Sequence, residues 1–259
     1  MTPSLTDLER LARQAGDILR ANFGRRQTID HKGIVDLVTE VDRQTEAFLV
    51  SQIRRRFPSH RILAEESGGQ AGEDCCLWFI DPLDGTVNYA HGVPIFSVSL
   101  AFQENEKMRF GVVYDPMQDE CFSAEAGRGA WLNGEPIHVS NTSDLDNSLL
   151  VTGFPYDIRE NPDNNLDYYS RFSLLSQAVR RLGSAALDLS YVACGRFEGF
   201  WELRLSPWDV AAGALIVQEA GGLVTNIHGG GDYLSPQQSI LAANPYIHAL
   251  MLAQFNHKK

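Results

Sequence analysis

The chain contains no apolar run approaching the roughly 20 residues that a membrane-spanning helix needs. Residues Met1 to Gly24 hold no signal-peptide core. There is no internal repeat and no low-complexity tract. Basic runs of the kind that match a nucleic-acid backbone are missing too. The 22 Lys and Arg residues are outnumbered by 33 Asp and Glu, for a net charge of −11, which argues against nucleic acid as a partner. Cysteine is scarce: Cys75, Cys76, Cys121 and Cys194 have neither zinc-ligand nor redox spacing. They read as buried or partly buried thiols, which suits a reducing cytoplasm. The seven histidines form no metal-binding pattern, and His91, near the site proposed below, reads as structural. A soluble cytoplasmic protein without membrane or nucleic-acid partners is the expectation.

What is present is a globular composition, 44% apolar and 21% charged, over 259 residues. That length suits one large domain or two intimate halves. Leu5, Leu8, Leu11, Ala15, Ile18 and Leu19 at helical spacing predict an amphipathic helix over 4–23. A second follows at about 41–56, with Thr45, Phe48, Leu49 and Ile53 near its buried face and Pro58 after its end. Short strands are expected at 61–64 and 77–81, then an antiparallel meander at 94–104, 107–115 and 119–124. Asn133-Gly134 signals a hairpin turn. The second half alternates: strand 149–151, helices at about 163–181 and 184–195, strand 200–205, helix 207–220, strands 222–226 and 239–243, and a helix from 245. An antiparallel meander followed by alternating strands and helices indicates a layered α+β packing. An N-terminal half with an antiparallel sheet (1–145) and a C-terminal α/β half (146–259) meet at the polar connector Ser140–Ser148 and form one unit.

Acidic groups stand at four places beside apolar runs, where charge is expensive unless paired or metal-bound. Asp81-Pro82-Leu83-Asp84-Gly85-Thr86 follows the apolar Leu77-Trp78-Phe79-Ile80. Glu65 and Glu66 follow strand 61–64. Asp209 lies in the first turn of a helix with Ser206 at the N-cap and Pro207 at its first position. Asp36 and Asp42 flank Leu37-Val38-Thr39. Each has a plainer reading: Asp209 complements the helix dipole, Asp42 caps a helix, and Glu65-Glu66 and Asp-Pro-x-Asp-Gly are solvated turns.

In order along the chain, these motifs resemble those of the inositol monophosphatase family. Asp81 to Tyr89 is similar to its first signature and Ser206 to Gly213 to its second. Asp36 to Asp42, Ala64 to Gly68, Gly183-Ser184-Ala185-Ala186 and Glu219 to Gly222 resemble its further motifs. The resemblance spans nearly the whole chain and implies an α-β-α-β-α layered sandwich. It implies Mg²⁺-dependent hydrolysis of a small phosphate monoester, with two or three ions per subunit, lithium inhibition and a homodimer. The implied metal ligands are Glu65, Asp81, Asp84, Asp209 and the main-chain oxygen of Leu83, with Asp81 bridging. The implied catalytic residues are Glu65, Thr86 and Asp42, Thr86 orienting the attacking water. Substrate contacts would come from Gly85, Thr86, Asp84, Gly183, Ser184, Ala185, Glu202 and Asp209. Lys32 and Asp36 would lie in an outer shell or a loop near a further metal.

Two metals can clamp the attacking and leaving oxygens, and the hard oxygen donors favour Mg²⁺ over zinc. Glu202, seven residues before Asp209, either contacts the hydroxyls of a polyol or is a solvated strand acid paired with Arg204. Val87 departs from the Lys usual in branches acting on histidinol phosphate or phosphoadenosine phosphate, which favours inositol 1-phosphate or a sugar phosphate. Fructose 1,6-bisphosphate and histidinol phosphate stay open, as does a non-catalytic regulator on the same fold. The apolar meander 94–124 is the expected dimer surface.

Overall fold

A computed structural model describes residues 2–25, 29–31, 37–70 and 72–256; Lys32 and Asp36 lie outside them. The N-terminal elements are α1 (Leu5–Asn22), β1 (Ile29–His31), β2 (Leu37–Thr39), α2 (Glu40–Arg56), β3 (His60–Ala64), β4 (Gly68–Gln70), β5 (Glu73–Asp84) and the short α3 (Thr86–Ala90). A meander follows: β6 (Ser97–Glu104), β7 (Lys107–Asp115), β8 (Glu120–Glu125), β9 (Gly129–Leu132) and β10 (Glu135–Pro136). The rest comprises β11 (Leu149–Thr152), α4 (Leu166–Leu175), β12 (Ala178–Arg180), α5 (Ala185–Ala193), β13 (Gly199–Leu205), α6 (Pro207–Glu219), β14 (Leu223–Thr225), β15 (Gln238–Ala243) and α7 (Pro245–Asn256).

Both N-terminal helices begin where capping chemistry allows. Ser4 and Asp7 form a capping box at α1, and Thr39 and Asp42 form another at α2, each satisfying N–H groups that the first turn leaves unpaired. Leu8, Leu11, Ala12, Ala15 and Leu19 make the buried stripe of α1, which packs with α2 on one face of an eight-stranded sheet. The strand order there is β10-β9-β8-β7-β6-β5-β3-β4, antiparallel except for β3 beside β5. Helices α5 and α6 cover its other face and the inner face of a five-stranded sheet, ordered β12-β11-β13-β15-β14. Helices α4 and α7 close the outside, so the five-layer α-β-α-β-α sandwich is the observed architecture.

Alternate residues of the large sheet serve two different cores. Trp78, Ile80, Leu100, Phe102 and Val112 face α1 and α2, whereas Phe79, Ala101, Val113 and Phe122 face α5 and α6. A sheet buried on both faces needs apolar residues at nearly every position. The apolar side chains of the meander strands are thus occupied inside two cores. Gly111 lets β7 approach α6 closely: a Cβ there would stand 2.8 Å from the Ala212 carbonyl oxygen.

The expected hairpin turn is present, with Asn133 and Gly134 both at positive φ between paired Leu132 and Glu135. The helix expected over 163–181 is shorter. It ends at Leu175, and Ala178–Arg180 pair in parallel with β11 as an edge strand. Sheet pairing overrides helical continuity there. The short β9 and β10 were not expected. Cys76 and Cys121 are buried and Cys194 is partly buried, but Cys75 is exposed. It sits where β5 departs from β3, the register jumping from His60↔Glu73 to Arg61↔Leu77.

Candidate active site

Asp81 and Asp84 are three residues apart on β5, an odd spacing that puts side chains on opposite faces of a regular strand. A bulge at Pro82-Leu83 changes this. Asp81 pairs with Ser99 and Asp84 with Ser97, so three residues of β5 span two of β6. Pro82 has no N–H to give the ladder, which suits it to the irregularity. Both carboxylates therefore line one cavity of about 350 Å³, together with Glu65, Thr86, Glu202 and Asp209. Gly85 ends the strand at φ 102°, and a Cβ there would press on the Ile95 and Gly183 carbonyl oxygens.

The second half meets this strand end directly. Asp84 Oδ2 accepts from the Ser184 hydroxyl at 2.6 Å and from Ala186 N–H at 2.8 Å, at the N-terminus of α5. Asn88 Nδ2 donates to the carbonyl of Leu182 at 2.8 Å, fixing the start of the 183–185 loop. Gly183, Ser184 and Ala185 all line the cavity. Asp209 lies one turn into α6, where its carboxylate accepts from Ser206 N–H at 2.7 Å. It complements the helix end and faces the cavity at once. Glu65 enters from the turn after β3, its N–H donating to Ile80 O at 3.2 Å.

Asp42 also has two roles. Its Oδ2 closes the capping box with Thr39 at the start of α2, accepting from Thr39 N–H at 2.8 Å and from the Thr39 hydroxyl. Its Oδ1 accepts from the Thr86 hydroxyl at 3.0 Å. Thr86 Oγ1 stands equally 3.0 Å from Leu83 O. One hydroxyl proton cannot fully serve both acceptors, and the carboxylate is the stronger. Burial raises the Asp42 pKa, opposed by these same hydrogen bonds.

The electrostatics of the cavity are dominated by like charge. Burial raises the Asp81 pKa well above the usual carboxylate range, and Glu65, Asp84 and Asp209 push it the same way. Asp209 is raised well above its ordinary value by burial first and then by Glu65. Burial raises Asp84 to about 6, although Ser184 and the Ala185 and Ala186 amides pull it down. A divalent cation relieves this kind of repulsion, and the carboxylates with the Leu83 carbonyl are all hard oxygen donors that could hold one. Among the described residues, no three Asp, Glu, His or Cys side chains already stand together as a closed metal cage. Asp81, Asp84 and Asp209 instead accept from Leu83 N–H, the Ser184 hydroxyl and Ser206 N–H. The donor chemistry fits a hard cation.

Glu202 is buried, and its carboxylate lies so close over Gly153 that a Cβ there would meet both oxygens at 2.2 Å. Burial lifts its pKa to about 8, with Asp84 adding to the rise and Arg181 opposing it. The reading of Glu202 as a solvated acid paired with Arg204 is corrected: Arg204 pairs with Asp157 at 2.6 Å. Residue 204 has positive φ, 61°, at a register break in β13, so its side chain leaves the regular alternation. His91 is exposed and does not line the cavity. Gly153, Arg181 and Asp188 line it without having been singled out in the sequence. Asp188 is fully buried, its Oδ1 has no hydrogen-bond partner among the described residues, and Glu202 adds to the burial that raises its pKa. Its position in the first turn of α5, four residues after Ser184, was the available signal.

A five-layer α/β sandwich with carboxylates at a bulged strand end and at two helix N-termini defines a phosphatase fold. The chain belongs to the inositol monophosphatase family, whose model matches residues 2–259. It is 51% identical over 214 residues to the inositol-1-monophosphatase of Synechocystis, covering 82% of this chain and 74% of that protein. It is 43% identical over 256 residues to Nus factor SuhB of Salmonella typhimurium, covering 98% and 96%. The solved inositol monophosphatase of Anabaena superposes with a TM-score of 0.87 at 46% identity, covering 96% and 93%.

Proposed function

We propose that this protein hydrolyses a small phosphate monoester, inositol 1-phosphate before others, to the free alcohol and phosphate. The observation that carries this is the convergence of Glu65, Asp81, Asp84 and Asp209 on one cavity shared with Thr86 and Glu202. Those four carboxylates and the Leu83 carbonyl would hold two or three Mg²⁺. Bound there, the ions supply charge neutralisation to the phosphate and acidity to the attacking water.

The residues of the chain do the rest. Thr86 commits its hydroxyl proton to Asp42, so its remaining lone pairs accept from the attacking water and orient it. Thr39 holds Asp42 in place for that task. The backbone of Gly85 and Thr86 and the 183–185 loop border the phosphate, and the Asp84–Ser184 link keeps the two sides together. Glu202 faces the alcohol. Its carboxyl oxygens can accept from vicinal hydroxyls of a polyol. A cavity of about 350 Å³ suits a phosphorylated polyol or sugar.

The test is phosphate release from inositol 1-phosphate, fructose 1,6-bisphosphate and histidinol phosphate with Mg²⁺, with and without Li⁺. A preference above tenfold for inositol 1-phosphate, about 1.4 kcal/mol, supports this reading. An equal preference for a different member replaces inositol as the substrate. The similarity to proteins named Nus factor SuhB favours a second reading, a regulator on the same fold. Absence of release from every member of the panel would favour it.

A further inference from the structure

Glu46 lies outside every motif discussed above, yet it holds one of them. It sits in the middle of α2, only 4% exposed. Its Oε2 accepts from Glu66 N–H at 2.7 Å and its Oε1 from Ser67 N–H at 2.8 Å. Two consecutive backbone donors thus converge on one buried carboxylate, a strong charge-assisted arrangement. The donors belong to the three-residue loop Glu65-Glu66-Ser67 between β3 and β4, closed by Ala64↔Gly68 with Gly68 at φ 71°. In an ordinary surface hairpin those N–H groups would face water.

The backbone is therefore pinned on both sides of Glu65. Its own N–H donates to Ile80 O, the residue before Asp81, and the next two N–H groups donate to Glu46. Asp42 lies four residues before Glu46, one turn away on the same buried face of α2. It accepts from the Thr86 hydroxyl at 3.0 Å. A single helix face thus reaches the Glu65 loop through one carboxylate and Thr86 through another. Burying two carboxylates on one turn is costly unless each is fully hydrogen-bonded.

We propose that Glu46 is a positioning residue: it fixes the backbone that aims Glu65 into the cavity, and with Asp42 it makes α2 the element that keeps the Glu65 and Thr86 sides of the site in register. The role of Glu65 as a metal ligand in this proposal rests on the reading under Proposed function.

The test uses the full-length protein as Glu46→Gln, which keeps the size but puts an amide NH₂ against one of the two donors. Glu46→Asp, one methylene shorter, is the second variant. Leu49→Ala, buried one turn further along the same helix, controls for general loss of stability. Hydrogen exchange of the Glu66 and Ser67 amides in metal-free protein should rise at least tenfold in the Glu46 variants and not selectively in Leu49→Ala. Mg²⁺ affinity, measured by calorimetry, should fall by about tenfold or more in the Glu46 variants, as for other groups that orient a ligand, and not in Leu49→Ala. Unchanged exchange overturns the proposal, and so does faster exchange with unchanged Mg²⁺ affinity. If the parent protein released no phosphate while both shifts appeared, the phosphatase reading would fail and the positioning role would stand.

Discussion

The Ser184 hydroxyl donates to Asp84 Oδ2 across 2.6 Å and joins the end of β5 to the start of α5. The two residues are a hundred positions apart, and the same hydroxyl oxygen accepts from Leu187 N–H at 3.4 Å as the cap of α5. One side chain therefore caps a helix and orients an acid of the site. Ser184→Ala removes both functions. It should cost about 1–3 kcal/mol of stability, the range of a helix cap combined with a charge-assisted hydrogen bond. Activity should fall further than this loss explains, with the Mg²⁺ requirement raised. Thermal unfolding and a Mg²⁺ titration of activity measure the two effects.

Replacing a repelled buried acid should separate stability from activity. Asp81 lies among three carboxylates that all oppose its ionisation. Asp81→Asn should abolish phosphate release while leaving the metal-free melting temperature equal to or above that of the parent protein. A large loss of stability in metal-free buffer would show that Asp81 serves the fold instead.

Much of this site was legible in the sequence because its acids sit beside apolar runs in an order that resembles one family. The cap at Ser206 and the Asn133-Gly134 turn are local chemistry and lie where expected, whereas the cap of α2 is Thr39, and Asp42, read as its cap, is instead the capping-box partner three residues on. What escaped depends on register and distance. The spacing of Asp81 and Asp84 implies opposite faces, and only the bulge at Pro82-Leu83 brings them to one. Arg204 is a natural partner for Glu202 by proximity in sequence, but its positive φ turns it to Asp157. Nothing in the sequence singles out Glu46, and only the fold brings the 66–67 amides to its carboxylate. The edge strand β12 has no local signal distinguishing it from the end of the preceding helix.

Glu202 gives the metal-free protein a pH-dependent stability. Its folded pKa, about 8, lies above the ordinary 4.5. The folded state therefore holds a proton that the unfolded state releases across that interval. The stability so gained is fully present below about pH 4.5 and is lost as pH rises to about 8. At 1.4 kcal/mol per unit the loss has an upper limit on the order of 5 kcal/mol. Glu202→Gln should flatten the decline, raising the melting temperature relative to the parent at pH 8 more than at pH 5. Melting curves across that range in EDTA measure it, and an unchanged slope would place the titration elsewhere.

Gly153 leaves room for Glu202, because a Cβ would stand 2.2 Å from each of its carboxylate oxygens. Gly153→Ala should push the Glu202 side chain aside at a cost of about 1–3 kcal/mol. If Glu202 contacts the alcohol part of the substrate, KM should rise severalfold and kcat should change less. Steady-state kinetics on inositol 1-phosphate separate the two constants, and a fall in kcat alone would assign Gly153 to the phosphate side.

The most direct test of the central claim is phosphate release from inositol 1-phosphate by the purified protein, measured in Mg²⁺ and in EDTA, with Asp81→Asn alongside. Glu65, Asp81, Asp84 and Asp209 acting together predict release in Mg²⁺ and none in EDTA or from Asp81→Asn. Undiminished release in EDTA, or full activity in Asp81→Asn, would contradict it.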